Sequence, residues 1–258
     1  MTIQLRQIAL VAARLEPVLQ DLEAVFGLAR AHIDPGVAVF GLENTLLPLG
    51  RNFIEVVAPV QPDTAAGRYL DRRRGDGGYM VITQAKTLAD LEAVRARAAA
   101  SGVRLAWESA RPGWTLIQLH PGDLKTTFLD VEWDEHEDLA GPWPPVGGTG
   151  WEDKIRQDLV IDLAEVELQA EDPASAARLW GAVTGCPVET SDGPPRVRLN
   201  NAALRFVPPS DGRGPGLSAV DLRVRDVDAI VGRARSRGLP AGPDQVEVCG
   251  VRFHLSAG

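Results

Sequence analysis

The run Phe53-Ile54-Glu55-Val56-Val57-Ala58-Pro59, continued by the segment from Thr64 to Val81, sets the pattern that the rest of the chain repeats. Its first seven residues read as an apolar strand closed by proline, and that strand carries one carboxylate, Glu55. A buried carboxylate without partners is costly, so the strand is expected to line a polar pocket. A short basic helix follows, Ala65-Ala66-Gly67-Arg68-Tyr69-Leu70-Asp71-Arg72-Arg73. Gly75-Asp76-Gly77-Gly78 then makes a tight turn into a second apolar strand, Tyr79-Met80-Val81-Ile82. The glycine run is too short and wrongly ordered for a phosphate-binding loop.

Upstream, Gln7 opens a strand over Ile8–Ala12, and a helix is expected from Leu15 to Phe26 because Val18, Leu19, Leu22, Val25 and Phe26 recur at helical spacing. Pro17 fits its first turn and Gly27 its end. Three strands are expected next, over Ala29–Ile33, Val37–Leu42 and Leu46–Val57, the last broken near Gly50. The order is β-α-β-β-β. Downstream it returns: a strand from Tyr79, a helix over Leu88–Ala100, then strands over Val103–Trp107, Trp114–Leu119 and Thr126–Val131.

A Pro/Gly/Trp-rich stretch separates these two rounds from two more. The third has Val166-Glu167-Leu168, a helix from Pro173 to Val183, and strands near Val188, Val197 and Leu204–Val207. The fourth has Ala219–Val224, a helix from Val227 to Arg237, and strands near Val246 and Phe253. Asp172 and Asp226 each stand at an N-cap, and Ser101-Gly102 and Arg237-Gly238 each end a helix before a strand. Four units of about sixty residues constitute an internal repeat. The expected division is a first domain over 1–133, a linker over 134–158 and a second domain over 159–258.

The chain has 258 residues and 45% hydrophobic content, enough for a substantial core. Its net charge of −8 argues against a nucleic-acid surface. Two cysteines, Cys186 and Cys249, are too few for a disulfide framework. The N-terminal residues lack a signal-peptide pattern, and no apolar run approaches the ~20 residues of a membrane span. A cytoplasmic protein without nucleic-acid or membrane partners is the expectation.

A repeated β-α-β-β-β unit, paired so that two units form a cup, resembles the vicinal oxygen chelate superfamily, which includes glyoxalase I, methylmalonyl-CoA epimerase, extradiol dioxygenases and bleomycin-binding proteins. The run from Glu55 through Arg68-Tyr69-Leu70 to Gly77, and His120-Pro121-Gly122-Asp123 with Phe128-Leu129-Asp130, are similar to the epimerases. The resemblance implies an α+β fold in which four modules form two glyoxalase/bleomycin-resistance-type domains with cup-shaped mixed sheets. It also implies one divalent metal ion, Mg, Mn, Ni or Zn, held from the first and last strands of two modules. Carried over by motif, the ligand positions are Gln7, Glu55, Asp130 and Met80 or its neighbour Tyr79. Met80 departs from the pattern, which has histidine there. Oxygen donors suit hard ions such as Mg²⁺ or Mn²⁺, and a thioether suits none of those.

By the same resemblance, the activity would be that of a lyase or isomerase acting on a small hydroxy-carbonyl or carboxylate substrate. Glu55 would be ligand or general base, and His120 a second acid or base, since imidazole titrates near neutrality. Arg68, Tyr79 and Trp114 would contact substrate. Each residue has an ordinary reading beside this one. Glu55 could be a surface strand residue paired to arginine, Gln7 an edge residue and His120 the start of a turn. Arg68 and its neighbours could be a solvated helix face, and the aromatics could be core. Asp130, Glu132 and Asp134 alternate as a solvated strand face also would. In the second domain, Glu165, Arg205, Ala219 and His254 do not make a ligand set. The alternative function is a metal-free small-molecule binding or resistance protein of the same fold, as monomer or homodimer.

Overall fold

The computed structural model describes residues 2–144, 146–191 and 193–258. In chain order, the first round contains β1 (Ile3–Val11), α1 (Leu15–Phe26), β2 (Leu42–Leu49) and β3 (Asn52–Pro59), and α2 (Ala65–Arg73) leads out of it. The second contains β4 (Gly77–Ala85), α3 (Leu88–Ala100), β5 (Leu105–Arg111), β6 (Trp114–Leu119), the single turn α4 (Pro121–Leu124) and β7 (Phe128–Asp134). The third contains β8 (Val160–Gln169), α5 (Pro173–Thr184), β9 (Val188–Glu189), β10 (Arg196–Arg198) and β11 (Ala203–Val207). The last contains β12 (Gly216–Val224), α6 (Val227–Ser236), β13 (Gln245–Val248) and β14 (Val251–Ala257). The strands form two mixed seven-stranded sheets, ordered β2-β3-β1-β4-β7-β6-β5 and β13-β14-β12-β8-β11-β10-β9. Architecture is thus α+β, built from repeats.

The repeats share their local chemistry. Asp172 accepts the Ser175 N–H at 3.0 Å and Asp226 the Ala229 N–H at 2.9 Å, so both helices begin on the same side-chain cap. At the far ends of α3 and α6, the Val103 N–H reaches Ala98 O and the Leu239 N–H reaches Ala234 O, the same five-residue closure. Gly102 and Gly238 supply the left-handed residue that this closure needs, with φ of +71° and +75°.

One segment departs from the sequence reading. The strands expected over Ala29–Ile33 and Val37–Leu42 are absent as such. The first is reduced to an isolated bridge between His32 and Leu46, and the second is a 3-10 helix over Pro35–Phe40, with β2 starting only at Leu42. The cause is Asp34-Pro35-Gly36. Asp34 accepts the Gly36 N–H at 2.8 Å, and Pro35 has no N–H to give a ladder. The apolar residues here do not build a core: Val39 is 74% exposed.

By contacts the chain divides into two compact units. The first comprises Met1–Gln7, Tyr79–Gly141 and Glu165–Leu217; the second comprises Ile8–Gly78, Pro142–Ala164 and Ser218–Gly258. In the first unit, Leu91, Val94 and Ala98 of α3 and Trp180 of α5 are fully buried. Trp180 stacks edge-on against Phe206 at 5.9 Å and donates to Leu124 O. That contact sets the helix side of β11, so Arg205, one residue away in a strand of period two, faces the other way. In the second unit, α1 brings Phe26 against Phe253 of β14 at 4.8 Å.

The Pro/Gly/Trp-rich stretch packs against β3 of the second unit. Trp143 and Trp151 are wholly buried, with ring centroids 6.1 and 5.0 Å from Phe53. Gly148 makes this path possible: it has φ +70°, and a Cβ there would lie 2.4 Å from the His32 ring. Removing the Trp151 ring should open a large apolar cavity. Trp151→Ala is expected to lose about 3–5 kcal/mol in chemical unfolding; an unchanged midpoint would contradict this packing role.

Candidate active site

Glu55 lies in the second unit, in the register pair Leu46↔Glu55 between β2 and β3. Asn44, Leu46, Phe53, Glu55 and Val57 share one sheet face, because the pairs Asn44↔Val57, Leu46↔Glu55 and Pro48↔Phe53 are two residues apart. Phe53 on this face meets the two tryptophans, which seals one end. Glu55 is only 5% exposed and accepts the Asn44 Nδ2–H at 2.6 Å. The Asn44 amide is itself held, since its Oδ1 accepts the Asp34 N–H at 3.1 Å. The same Asp34 that ends the expected strand therefore fixes the amide that aims Glu55. Arg68 is exposed on α2 and donates to Asp63 O at 2.6 Å.

Asp130 lies in the first unit. The registers Gln118↔Asp130, Leu116↔Glu132 and Trp114↔Asp134 place β6 and β7 side chains in facing pairs, and Ile82↔Asp130 and Met80↔Phe128 extend the same face onto β4. Asp130, Glu132 and Asp134 are all buried, so the alternation seen in the sequence is an inner face and not a solvated one. Each carboxylate meets a neutral N–H donor from a neighbouring strand. Gln118 Nε2 lies 3.4 Å from Asp130 Oδ2 and 3.6 Å from Met80 Sδ. Trp114 Nε1 donates to Glu132 at 3.0 Å, and Gln84 Nε2 to Asp134 at 2.6 Å. Tyr79 falls on the alternate parity and is buried, with its ring edge-on to Phe128 at 5.4 Å. Trp114 is half-buried on the acidic face, beneath the Arg111 guanidinium at 4.6 Å. His120 caps α4, its Nδ1 accepting the Gly122 N–H at 3.2 Å.

Gln7 is buried in β1, in a strand that also buries Gln4 and Arg6. Arg6 donates to Leu139 O and to Gly141 O, holding the segment after β7. Asn44, Gln118, Gln84 and Glu132 were not singled out from the sequence as site residues. Polar amides inside apolar strands were the available signal; which carboxylate each would serve depends on register.

Of the four positions carried over, Met80 does not fit a hard divalent ion: it offers sulfur, matched to Gln118 N–H, whereas Glu55 and Asp130 offer carboxylate oxygens that each also meet an amide donor. Among the described residues, no group of three His, Cys, Asp or Glu side chains is placed to hold a metal. In the third round, Glu165 is matched instead by arginine: Arg196 Nε lies at 2.9 Å and Arg205 at 3.0 Å, with Arg205 also reaching Glu167 at 3.1 Å.

A glyoxalase-like domain family profile matches residues 8–184, and the chain belongs to that family. Among solved structures, it is similar to a triple mutant of 4-hydroxymandelate synthase from Streptomyces coelicolor, at 16% identity and TM-score 0.67, over 92% of this chain and 76% of that one. A Mn(II)-bound glyoxalase from Novosphingobium aromaticivorans gives 14% identity and TM-score 0.65, over 98% and 81%. A hypothetical protein from Staphylococcus aureus gives 11% and 0.65, over the whole of both chains. These likenesses place the chain in the vicinal oxygen chelate fold. No curated protein sequence matches it. Among the described residues, no helix is long and apolar enough to cross a membrane.

Burial raises the Asp134 carboxyl above its ordinary value of 3.8, against the lowering effect of the His136 and Gln84 N–H groups. The folded chain therefore binds this proton more tightly than the unfolded chain. The stability that Asp134 contributes is fully present below its unfolded value and is lost as pH rises through its folded value. Asp134→Asn should flatten the stability–pH curve above about pH 4. A curve parallel to that of the parent protein would contradict the assignment.

Proposed function

We propose that the chain is an enzyme of the lyase or isomerase type that moves a proton on a small oxygenated substrate, with Glu55 on its face of the second unit as principal base, Asp130 on the separate face of the first unit as an acid–base carboxylate in its own right, and no required metal. The observation that carries the reading is the 2.6 Å bond from the Asn44 amide to the buried Glu55 carboxylate. The neutral Asn44 amide aims the carboxylate, and a carboxylate held in place beside a bound substrate is positioned to take a proton from carbon. Asp130 stands in the same relation to Gln118, at a longer distance.

In the proposed step, a C–H bond beside a carbonyl breaks and its electron pair moves toward the carbonyl oxygen. The proton passes to the carboxylate, which becomes a carboxylic acid. Its return to the same carbon on the other face gives an epimer, and its return to a neighbouring atom gives an isomer. The similar structures include a 4-hydroxymandelate synthase and a glyoxalase, so the fold supports an enzyme of this superfamily without choosing the substrate.

Deuterium wash-in tests the reading at its elementary event. The protein, treated with a chelator, is incubated in D₂O with a panel of hydroxy-ketones, hydroxy-acids and 2-substituted carboxylate derivatives, and the C–H signals are followed by proton NMR. Exchange is expected into at least one compound, and to fall by about 100-fold or more in Glu55→Gln. No exchange in any compound, or full exchange in Glu55→Gln, would overturn the assignment. Met80 favours one second reading: its thioether, accepting from Gln118, is suited to packing against a ligand, as in a binding protein. That protein would bind compounds saturably and exchange none of them.

A further inference from the structure

The first unit carries a feature that the proton-transfer reading leaves unused. Arg111, at the end of β5, lies with its guanidinium carbon 4.6 Å from the centroid of the Trp114 ring. Other arginines of this region meet carboxylates: Arg95 pairs with Glu92 and Glu108, and Arg104 with Asp123. Among the described residues, Arg111 makes no ion pair. The indole beneath it is not free to turn, because its Nε1–H is held by the buried Glu132 carboxylate at 3.0 Å. A guanidinium stacked on a fixed ring keeps its N–H edge available and loses little freedom on meeting an anion.

The register places this cation on the face that holds Asp130. Arg111 pairs with Trp114, Ser109 with Leu116 and Trp107 with Gln118, so all six side chains share one side of β5 and β6. Asp130 is across from Gln118 on that side. Trp107 is 45% exposed, and Trp114, Leu116 and Gln118 are half-buried, so the face is reachable from solvent. Trp114 and Gln118 are four residues apart, about 13 Å along a strand.

We infer that this face binds an elongated organic anion: a carboxylate held edge-on by Arg111, with a flat apolar body lying beside the Trp114 ring and over Leu116 and its far end at Gln118 and Asp130. The inference deepens the proposed function, since it rests on reading the Asp130 face as a ligand face, and names the substrate class as aryl or otherwise flat carboxylates. Very short acids reach one end of the face only.

The test titrates the intact protein with 4-phenylbutanoate, its neutral amide and benzoate, followed by calorimetry and by tryptophan emission. The acid should bind about tenfold or more tightly than its amide, as a charge-assisted contact requires, and more tightly than the shorter benzoate. Arg111→Ala should remove the preference for acid over amide, and Arg111→Lys should keep part of it. Arg111 is exposed, and an unchanged thermal melt will show that the variants are folded. Acid and amide binding alike, or a preference that survives Arg111→Ala, would overturn the inference. Deuterium wash-in separates this outcome from the fate of the proton-transfer reading. Exchange that persists without an acid preference removes only the anion site, and an acid preference without exchange supports the site while removing the chemistry.

Discussion

A strand that packs a helix on one face and buries carboxylates on the other needs hydrogen-bond donors beside them, and that constraint shapes this protein. In β7, alternate residues Leu129 and Val131 are apolar, while Asp130, Glu132 and Asp134 point to the opposite side and are equally buried. Burying carboxylates is tolerable only when hydrogen bonds replace water. Gln118, Trp114 and Gln84 do so from the adjoining strands β6 and β4. In the second unit, Asn44 does the same for Glu55 across the β2–β3 ladder.

The kind of donor matters as much as its presence. The β8 and β11 strands of the first unit meet the same requirement with full charges: Glu165, Glu167, Arg196 and Arg205 form a compact network whose charges balance. An arginine partner places a full opposite charge against the carboxylate. Amide and indole donors orient a carboxylate without that charge. Two sheets with related order thus differ in how their carboxylates are partnered, one by amide and indole donors and the other by arginines.

Much of this was legible in the sequence. Helices α1 and α3 begin and end where Val18–Phe26 and Leu91–Ala98 periodicity and the following glycines place them. The caps at Asp172 and Asp226 and the strand carrying Glu55 were equally readable, because each is a local signal. The failures came where tertiary contacts outweigh local preference. Val37, Val39 and Phe40 look like strand residues, yet Asp34 and Pro35 turn them into an exposed 3-10 helix. Within the Pro/Gly/Trp-rich stretch read as a linker over 134–158, the packing of Trp143 and Trp151 on Phe53 is likewise a tertiary contact that no local signal specifies. The roles of Asn44 and Gln118 depend on strand register, which hydropathy alternation does not specify.

The central claim is that the buried carboxylates are organised by amide hydrogen bonds and act without a metal ion. Elemental analysis of tag-free protein, purified without chelators and then offered Mg²⁺, Mn²⁺, Ni²⁺ and Zn²⁺ in turn before desalting, tests it most directly. The account expects well under one ion per chain in every case, and the same value for Glu55→Ala. About one ion per chain, lost on replacing Glu55, would contradict it and would make Glu55 a metal ligand instead of an amide-held base.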